Sequence, residues 1–192
     1  APKFKNYPGS SNSFLKSNGQ PYKAGETWKQ PDLAQTLLRI QKRGRDGFYK
    51  GKTAQMIAQE MKEKGGLIAQ TDLLNYEAIE RTPVQGKYRG YQIISMGPPS
   101  SGGVALIEML NIVEGFDLLK EGHGSAQHIH LLAESMRRAF FDRAKFLGDP
   151  DFNSDMPIEL LISKNYAQRL RKEIRYTKAS ISDLIPLNQA YE

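Results

Sequence analysis

The stretch from Ser125 to Pro150 constrains this chain more than any other. Ser125 can accept a hydrogen bond from the free N–H groups of a helix start, and Gly148 and Pro150 can end the same helix. Between them, Ile129, Leu132, Ala133, Met136 and Phe140 recur at three- and four-residue intervals, the period of a helix with one apolar face. The spacing predicts a helix over about 126–146, with that stripe turned inward as the spine of the fold.

Shorter elements flank it. Pro31 suits a first helical turn and Gly44 a stop, so Leu33, Leu37 and Ile40 predict a helix between them. A second runs over about 52–64, with Ala54, Ile57, Ala58 and Met61 on one face and Gly65-Gly66 after it. Thr71-Asp72 is expected to cap a short helix over 73–76. Val84–Lys87 and Tyr91–Met96 flank Tyr88-Arg89-Gly90 and predict a tight hairpin. A helix comes next, with Leu106, Met109, Leu110 and Val113 expected inward and Gly115 after it. Two short helices are expected over 157–162 and 165–174. Asn18-Gly19 marks a turn in a loose hairpin within residues 1–30. The fold class is therefore mainly α with one or two β-hairpins. The chain is taken as a single piece over 1–192: an irregular or hairpin lead-in over 1–30, a helical body over 31–175, and an irregular tail over 176–192.

Composition narrows the chemistry. Among 192 residues there is no cysteine, which excludes disulfides, a cysteine nucleophile, iron–sulfur clusters and thiolate zinc sites. No apolar run reaches the roughly 18–20 residues of a membrane-spanning helix. The net charge of +6 suits anionic partners without demanding nucleic acid. The chain opens Ala1-Pro2-Lys3-Phe4, with neither initiator Met nor signal segment, and is expected to be a fragment or processed piece.

The loop Gly97-Pro98-Pro99-Ser100-Ser101-Gly102-Gly103, between a strand and a helix, is the most distinctive motif. It lacks the Lys of a phosphate-binding loop, and Pro99 stands where a nucleophile elbow needs Gly. Pro98, Pro99, Ser100, Ser101, Gly102 and Gly103 are therefore read as structural: a rigid turn, a serine cap and close backbone packing at Gly102 and Gly103. The acids from Asp149 to Asp155 alternate as in a calcium loop, but Ser154 and Leu160 stand where Gly and Glu are needed, so Asp155 is read as a helix cap. His128 and His130, two apart on one helix, point to opposite sides, and no metal site is expected. Glu134, Arg137, Arg138 and Asp142 are spaced for surface or interdomain ion pairs. The basic residues are scattered; Lys42-Arg43-Gly44-Arg45 and residues 169–175 are the densest groups. Arg89-Gly90-Tyr91 begins like an RNA-binding strand, but Gln92 and Ile93 break the pattern. On residue chemistry alone this is a helical domain without a self-contained catalytic set, and an anion- or nucleic-acid-binding module stays open.

An ordered set of phrases goes further. Gln30-Pro31-Asp32-Leu33-Ala34-Gln35-Thr36-Leu37, Gly47-Phe48-Tyr49-Lys50-Gly51, Gly65-Gly66-Leu67-Ile68, Asp72-Leu73-Leu74-Asn75-Tyr76 and Arg81-Thr82-Pro83 come first. Tyr88-Arg89-Gly90-Tyr91, the loop from Pro98 to Gly103, Leu110-Asn111-Ile112, Asp142-Arg143 and Leu147-Gly148-Asp149-Pro150-Asp151-Phe152 come after. In this order and spacing the chain resembles the large subunit of γ-glutamyltranspeptidase, in its C-terminal half, from about Gly25 onward. It departs at Gly97, where the family has proline, at Ser135, where Ala is usual, and at Phe141, where a small residue is usual.

The resemblance implies an N-terminal-nucleophile hydrolase with an αββα sandwich when complete. A precursor cuts itself into large and small subunits. The threonine freed at the small subunit's N-terminus attacks γ-glutamyl amides such as glutathione, its own amine serving as base, and the γ-glutamyl group passes to water, an amino acid or a peptide. No cofactor is implied. The implied partners are the small subunit carrying that threonine and the N-terminal half of the large subunit, without nucleic acid, and the implied location is periplasmic or extracellular. The nucleophile is expected shortly after Glu192 and the arginine that binds the substrate carboxylate before Ala1. No catalytic residue is therefore assigned within the chain, neither Thr177 nor Ser100 nor Ser101, and the chain alone is expected to be inactive. A noncatalytic interaction domain of the same family is the alternative.

Overall fold

The computed structural model describes Phe4 and residues 6–182, in two compact units, Ala1–Ile79 and Glu80–Glu192. The division falls inside the helical body expected over 31–175.

The first unit is helical with a thin core. Helices α1 (Pro8–Phe14), α2 (Pro31–Arg43), α3 (Asp46–Tyr49), α4 (Gly51–Lys64) and α5 (Gln70–Asn75) occur in that order. Prolines open α1 and α2, where a missing N–H costs nothing. Gly65, at φ +72°, ends α4 in the left-handed conformation. The lead-in is not a hairpin. Residues 8–14 are helical, and the turn at Asn18-Gly19 closes only a single bridge between Leu15 and Pro21. Pro8 starts the helix, and Trp28 fixes the segment after it by donating to the Ser13 carbonyl at 2.8 Å. Helix α5 begins at Gln70, earlier than expected, because Asp72 accepts from the Ala69 N–H at 2.7 Å. Within α2, Leu33 and Leu37, whose spacing predicts the helix, are exposed. The tight contact is instead between α2 and α3, where a Cβ on Gly47 would overlap the Arg39 carbonyl. Thr53 on α4 closes this corner, donating to the Gly47 carbonyl and accepting from Arg39 Nε, both at 2.8 Å.

The second unit carries the hairpin β1 (Val84–Tyr88) and β2 (Tyr91–Ser95), in register from Val84 opposite Ser95 to Tyr88 opposite Tyr91. Arg89 and Gly90 both have positive φ, +48° and +87°, the backbone of a two-residue turn that matches strand twist. This two-stranded antiparallel sheet is the only one among the described residues. Helices α6 (Gly102–Val113), α7 (Leu118–Glu121), α8 (Ala126–Phe146), α9 (Ile158–Leu161) and α10 (Lys164–Lys172) complete it. The hairpin lies against α6 at Gly86, where a Cβ would come within 2.6 Å of Ile107 Cγ2. Val104, Ile107, Ile112, Leu131, Leu161 and Leu170 form the centre of the core.

Two inward faces differ from expectation. On α6, Ile107 and Ile112 are buried, Met109 and Leu110 are half-buried and Leu106 is exposed. On α8, Ser125 caps the start as expected, accepting from the His128 N–H at 3.0 Å. Yet Ile129, Met136 and Phe140 are exposed, and the buried residues are Leu131, Glu134, Ser135, Arg138, Ala139 and Asp142. Phe140, at 53% exposure, is not the buried anchor its spacing suggests. Asp155 does not cap α9; its carboxylate accepts from the Ser154 hydroxyl. Of the apolar tail residues, Ile181 is exposed, and Leu184, Ile185 and Leu187 lie outside the described residues.

Candidate functional site

The loop at 97–103 joins β2 to α6. Pro98 and Pro99 are joined by a cis peptide bond. The close approach is at Gly103, whose Cβ would meet the Met96 carbonyl and lie 2.7 Å from Val84 Cγ2. At Gly102, where a close contact is expected as well, nothing is nearer the Cβ position than Ser100 Oγ at 3.5 Å. Ser100 Oγ accepts from the Gly102 N–H at 3.4 Å. Ser101 Oγ accepts from Arg143 Nε at 2.7 Å, which ties the loop to α8. A guanidinium donates and cannot take a proton, so Arg143 is no base for a serine nucleophile.

The polar chemistry of the second unit is concentrated on the inward face of α8. At one end, Glu134 is fully buried and Arg138 is 2% exposed. Arg138 Nη1 donates to Glu134 Oε2 at 2.7 Å, and Arg138 Nε to the Leu170 carbonyl at 3.2 Å. Ser180 completes the carboxylate, its hydroxyl donating to Oε2 at 2.6 Å and its backbone N–H to Oε1 at 2.9 Å. Burial pushes the Glu134 carboxyl up, but the Ser180 donors and Arg138 outweigh it and hold the group down at about 2. Ion pairs expected at the surface or between domains thus include a buried one within the second unit.

At the other end, Asp142 is 4% exposed and accepts from the Tyr166 hydroxyl at 2.7 Å. Its carboxyl also hydrogen-bonds that of Glu108 on α6, itself 1% exposed. Burial raises both acids, Glu108 far above the usual carboxylate range, with the Asp142 charge adding to the effect. Two carboxyls in contact need a proton between them. Tyr166 donates to Asp142, so the proton resides on Glu108 and Asp142 is the anion.

The rings of His123 and His128 pack edge to face, with centroids 5.4 Å apart. His128 Nδ1 accepts from the Gly124 N–H at 2.9 Å, and His130 Nε2 donates to the Arg175 carbonyl at 2.8 Å. Among the described residues no three His, Asp or Glu side chains gather to hold a metal. Arg89-Gly90 forms the hairpin turn, so the phrase that starts like an RNA-binding strand is not one. Arg171, in the densest basic group, is turned inward onto the Ile112 and Asn111 carbonyls at 2.9 and 2.8 Å. Residue spacing alone missed the Glu134–Arg138–Ser180 and Glu108–Asp142–Tyr166 clusters. Their one local signal is the four-residue interval between Glu134, Arg138 and Asp142.

Known proteins place these features in a family. The family model for gamma-glutamyltranspeptidase matches residues 1–191. The glutathione hydrolase proenzyme of Escherichia coli is 47% identical over 175 residues, which cover 91% of this chain and 30% of that protein. The acylase ACY 1 proenzyme of Pseudomonas sp. strain SE83 is 42% identical over 87% of this chain and 30% of its own length. The crystal structure of Helicobacter pylori gamma-glutamyltranspeptidase superposes with a TM-score of 0.88 at 41% identity, covering all of this chain and 55% of that one. The chain therefore spans about a third of the length of the curated relatives it matches. Its sequence and its fold together make it a member of the gamma-glutamyltranspeptidase family.

Proposed function

We propose that this chain is the C-terminal part of the large subunit of a γ-glutamyltransferase or glutathione hydrolase. The intact protein, completed to an αββα sandwich, cuts itself so that a threonine downstream of residue 192 becomes the first residue of a small subunit. That threonine takes the γ-glutamyl group from glutathione or a similar amide and passes it to water, an amino acid or a peptide, without a cofactor. The chain supplies scaffold: the hairpin, the loop at 97–103 and the polar face of α8. It functions together with the small subunit and the N-terminal half of the large subunit, in the periplasm or outside the cell.

The observation that carries this reading is the match to gamma-glutamyltranspeptidase over residues 1–191, joined to the 0.88 superposition on a solved member. An acylase acting on other amides is the second reading, favoured by the 42% identity to a protein of that name. The test is release of p-nitroaniline from γ-glutamyl-p-nitroanilide by the intact protein, set beside a simple acyl anilide. The intact protein should turn over the γ-glutamyl compound and carry a subunit beginning with threonine by mass spectrometry. Chain 1–192 alone should release nothing above buffer. Turnover of the acyl anilide only would select the acylase reading. Activity in the chain alone that disappears with Ser101→Ala would replace the threonine by a serine mechanism.

A further inference from the structure

The segment after α10 is irregular, yet it is held at successive points by one face of α8. His130 Nε2 donates to the Arg175 carbonyl at 2.8 Å. Four residues further along α8, Glu134 takes both the N–H and the hydroxyl of Ser180. Arg137 and Arg138, one turn on, reach the Ser182 and Ser180 hydroxyls. The contacts advance together, 130 to 134 to 137 on the helix and 175 to 180 to 182 on the segment, so the two run in the same direction. Tyr176 is fixed separately, its hydroxyl donating to Glu121 at 2.9 Å and its ring edge-on to Phe116. Residues three and four apart share one helix face, so His130, Glu134, Arg137 and Arg138 form a rail.

The cost of the rail shows that it is built. Glu134 and Arg138 are both withdrawn from water, an expense an ordinary surface ion pair avoids. Arg138 alone leaves acceptor positions on the carboxylate open, and Ser180 fills them at both oxygens. Arg137 Nε stands 3.4 Å from Oε1 without hydrogen-bonding it, so the hydrogen bonds of the buried carboxylate are complete only when the outgoing segment is in place.

We propose that this face of α8 is a positioning device for self-cleavage, with Glu134 as the anchor that fixes the course of the chain toward the cleavage point. The proposal rests on the reading given under Proposed function. In that reaction the threonine Oγ attacks the preceding carbonyl carbon, the peptide C–N bond breaks, and the nitrogen takes the hydroxyl proton. Water then hydrolyses the ester, leaving a carboxylate upstream and a free amine and hydroxyl downstream. Such an attack depends on a near-attack geometry of the backbone. Each residue left free upstream adds conformational entropy that must be lost to reach it. The rail removes that freedom from residues 175–182 beforehand. None of its side chains touches the reacting atoms, so they are positioning residues.

Ser180→Ala in the intact precursor is the test, because it removes the segment's hydroxyl from the anchor and leaves the Ser180 backbone N–H and the Glu134–Arg138 pair. Conversion of precursor to two subunits is followed by gel, alongside the unfolding midpoint and the kcat and KM of the cleaved enzyme on γ-glutamyl-p-nitroanilide. A hydroxyl bonded to a carboxylate is one of the stronger hydrogen bonds, so cleavage should slow roughly tenfold. Ser180→Thr should restore it, kcat and KM should stay at wild-type values, and the midpoint should fall only modestly, as the loss of one hydrogen bond to a buried carboxylate requires. Cleavage at the wild-type rate would overturn the rail alone, as would a failure of Ser180→Thr to restore cleavage or impaired turnover by the cleaved enzyme. A wild-type protein that remains in one piece would overturn both the rail and the reading beneath it.

Discussion

Glu134 and Glu108 lie in the same unit, on packed helices, and are 0% and 1% exposed, yet burial leaves them in opposite charge states. Glu134 has a guanidinium and a serine aimed at it and stays ionised, its carboxyl held at about 2. Glu108 meets a second carboxyl and keeps its proton. The difference is set by partners, not depth: an anion survives out of water where fixed donors replace its hydration, and neutralises where they do not. One end of the inward face of α8 is an ion pair, and the other is an acid donating to a carboxylate.

Removing one side of the ion pair should therefore have the largest effect. Arg138→Leu leaves Glu134 buried with the Ser180 donors and the partly exposed Arg137, whose Nε lies 3.4 Å from Oε1, and breaking a buried pair in this way costs about 3–5 kcal/mol. Urea unfolding of the protein should show a correspondingly lower midpoint, most evident near neutral pH. A midpoint within about 0.5 kcal/mol of wild type, the range of ordinary surface substitutions, would show that the guanidinium does not sustain the Glu134 charge.

The opposite end predicts a pH slope. Glu108 binds its proton more tightly folded than unfolded, so its contribution is fully present below the ordinary carboxyl value of 4.5. It is lost as pH rises from there toward the raised folded value, at no more than about 1.4 kcal/mol per pH unit for one proton. Glu134 has the reverse sign, its contribution present above 4.5 and lost as pH falls toward about 2. Lys145 and Glu173 act on Asp142 with opposite signs and temper the slope. Glu108→Gln keeps a donor toward Asp142 and has no proton to lose. It should change stability by less than about 1 kcal/mol near pH 5 and flatten the decline above it. A slope unchanged by the substitution would place the proton elsewhere.

The two faces of α8 also show which signals a sequence carries. The limits of the helix are legible because caps are local: Ser125 bonds within its own first turn. The hairpin is legible for the same reason, since Arg89 and Gly90 are neighbours. The orientation of the helix is not. A stripe argument turns Ile129, Met136 and Phe140 inward, whereas the second unit instead buries Glu134, Arg138 and Asp142, each satisfied by groups distant in sequence. Ser180 reaches Glu134 across 46 positions and Tyr166 reaches Asp142 across 24. Local spacing cannot announce such partners, and without them a buried charge looks prohibitively expensive. The lead-in is illegible for a related reason. Pro8 by itself suits a loop as well as a helix start, and here it occupies the first turn of α1. Family resemblance is legible because it rests on ordered phrases, not on burial.

The smallest effect belongs to the outward stripe, and it tests the orientation of the helix directly. A fully buried phenylalanine reduced to alanine costs about 3–5 kcal/mol, from lost transfer energy and the cavity left behind. Phe140 is 53% exposed, leaves no enclosed cavity, and has Arg143 over its ring at 6.0 Å. Phe140→Ala in chain 1–192 should therefore cost about 1–2 kcal/mol, since only part of the ring leaves an apolar contact. Arg138→Leu, two residues away on the same helix, should cost more. The order matters more than either value, because it reverses what hydrophobic periodicity alone would rank. Equal or inverted costs, measured by urea unfolding of both variants side by side, would mean that the apolar stripe faces the core and that the charged residues face water.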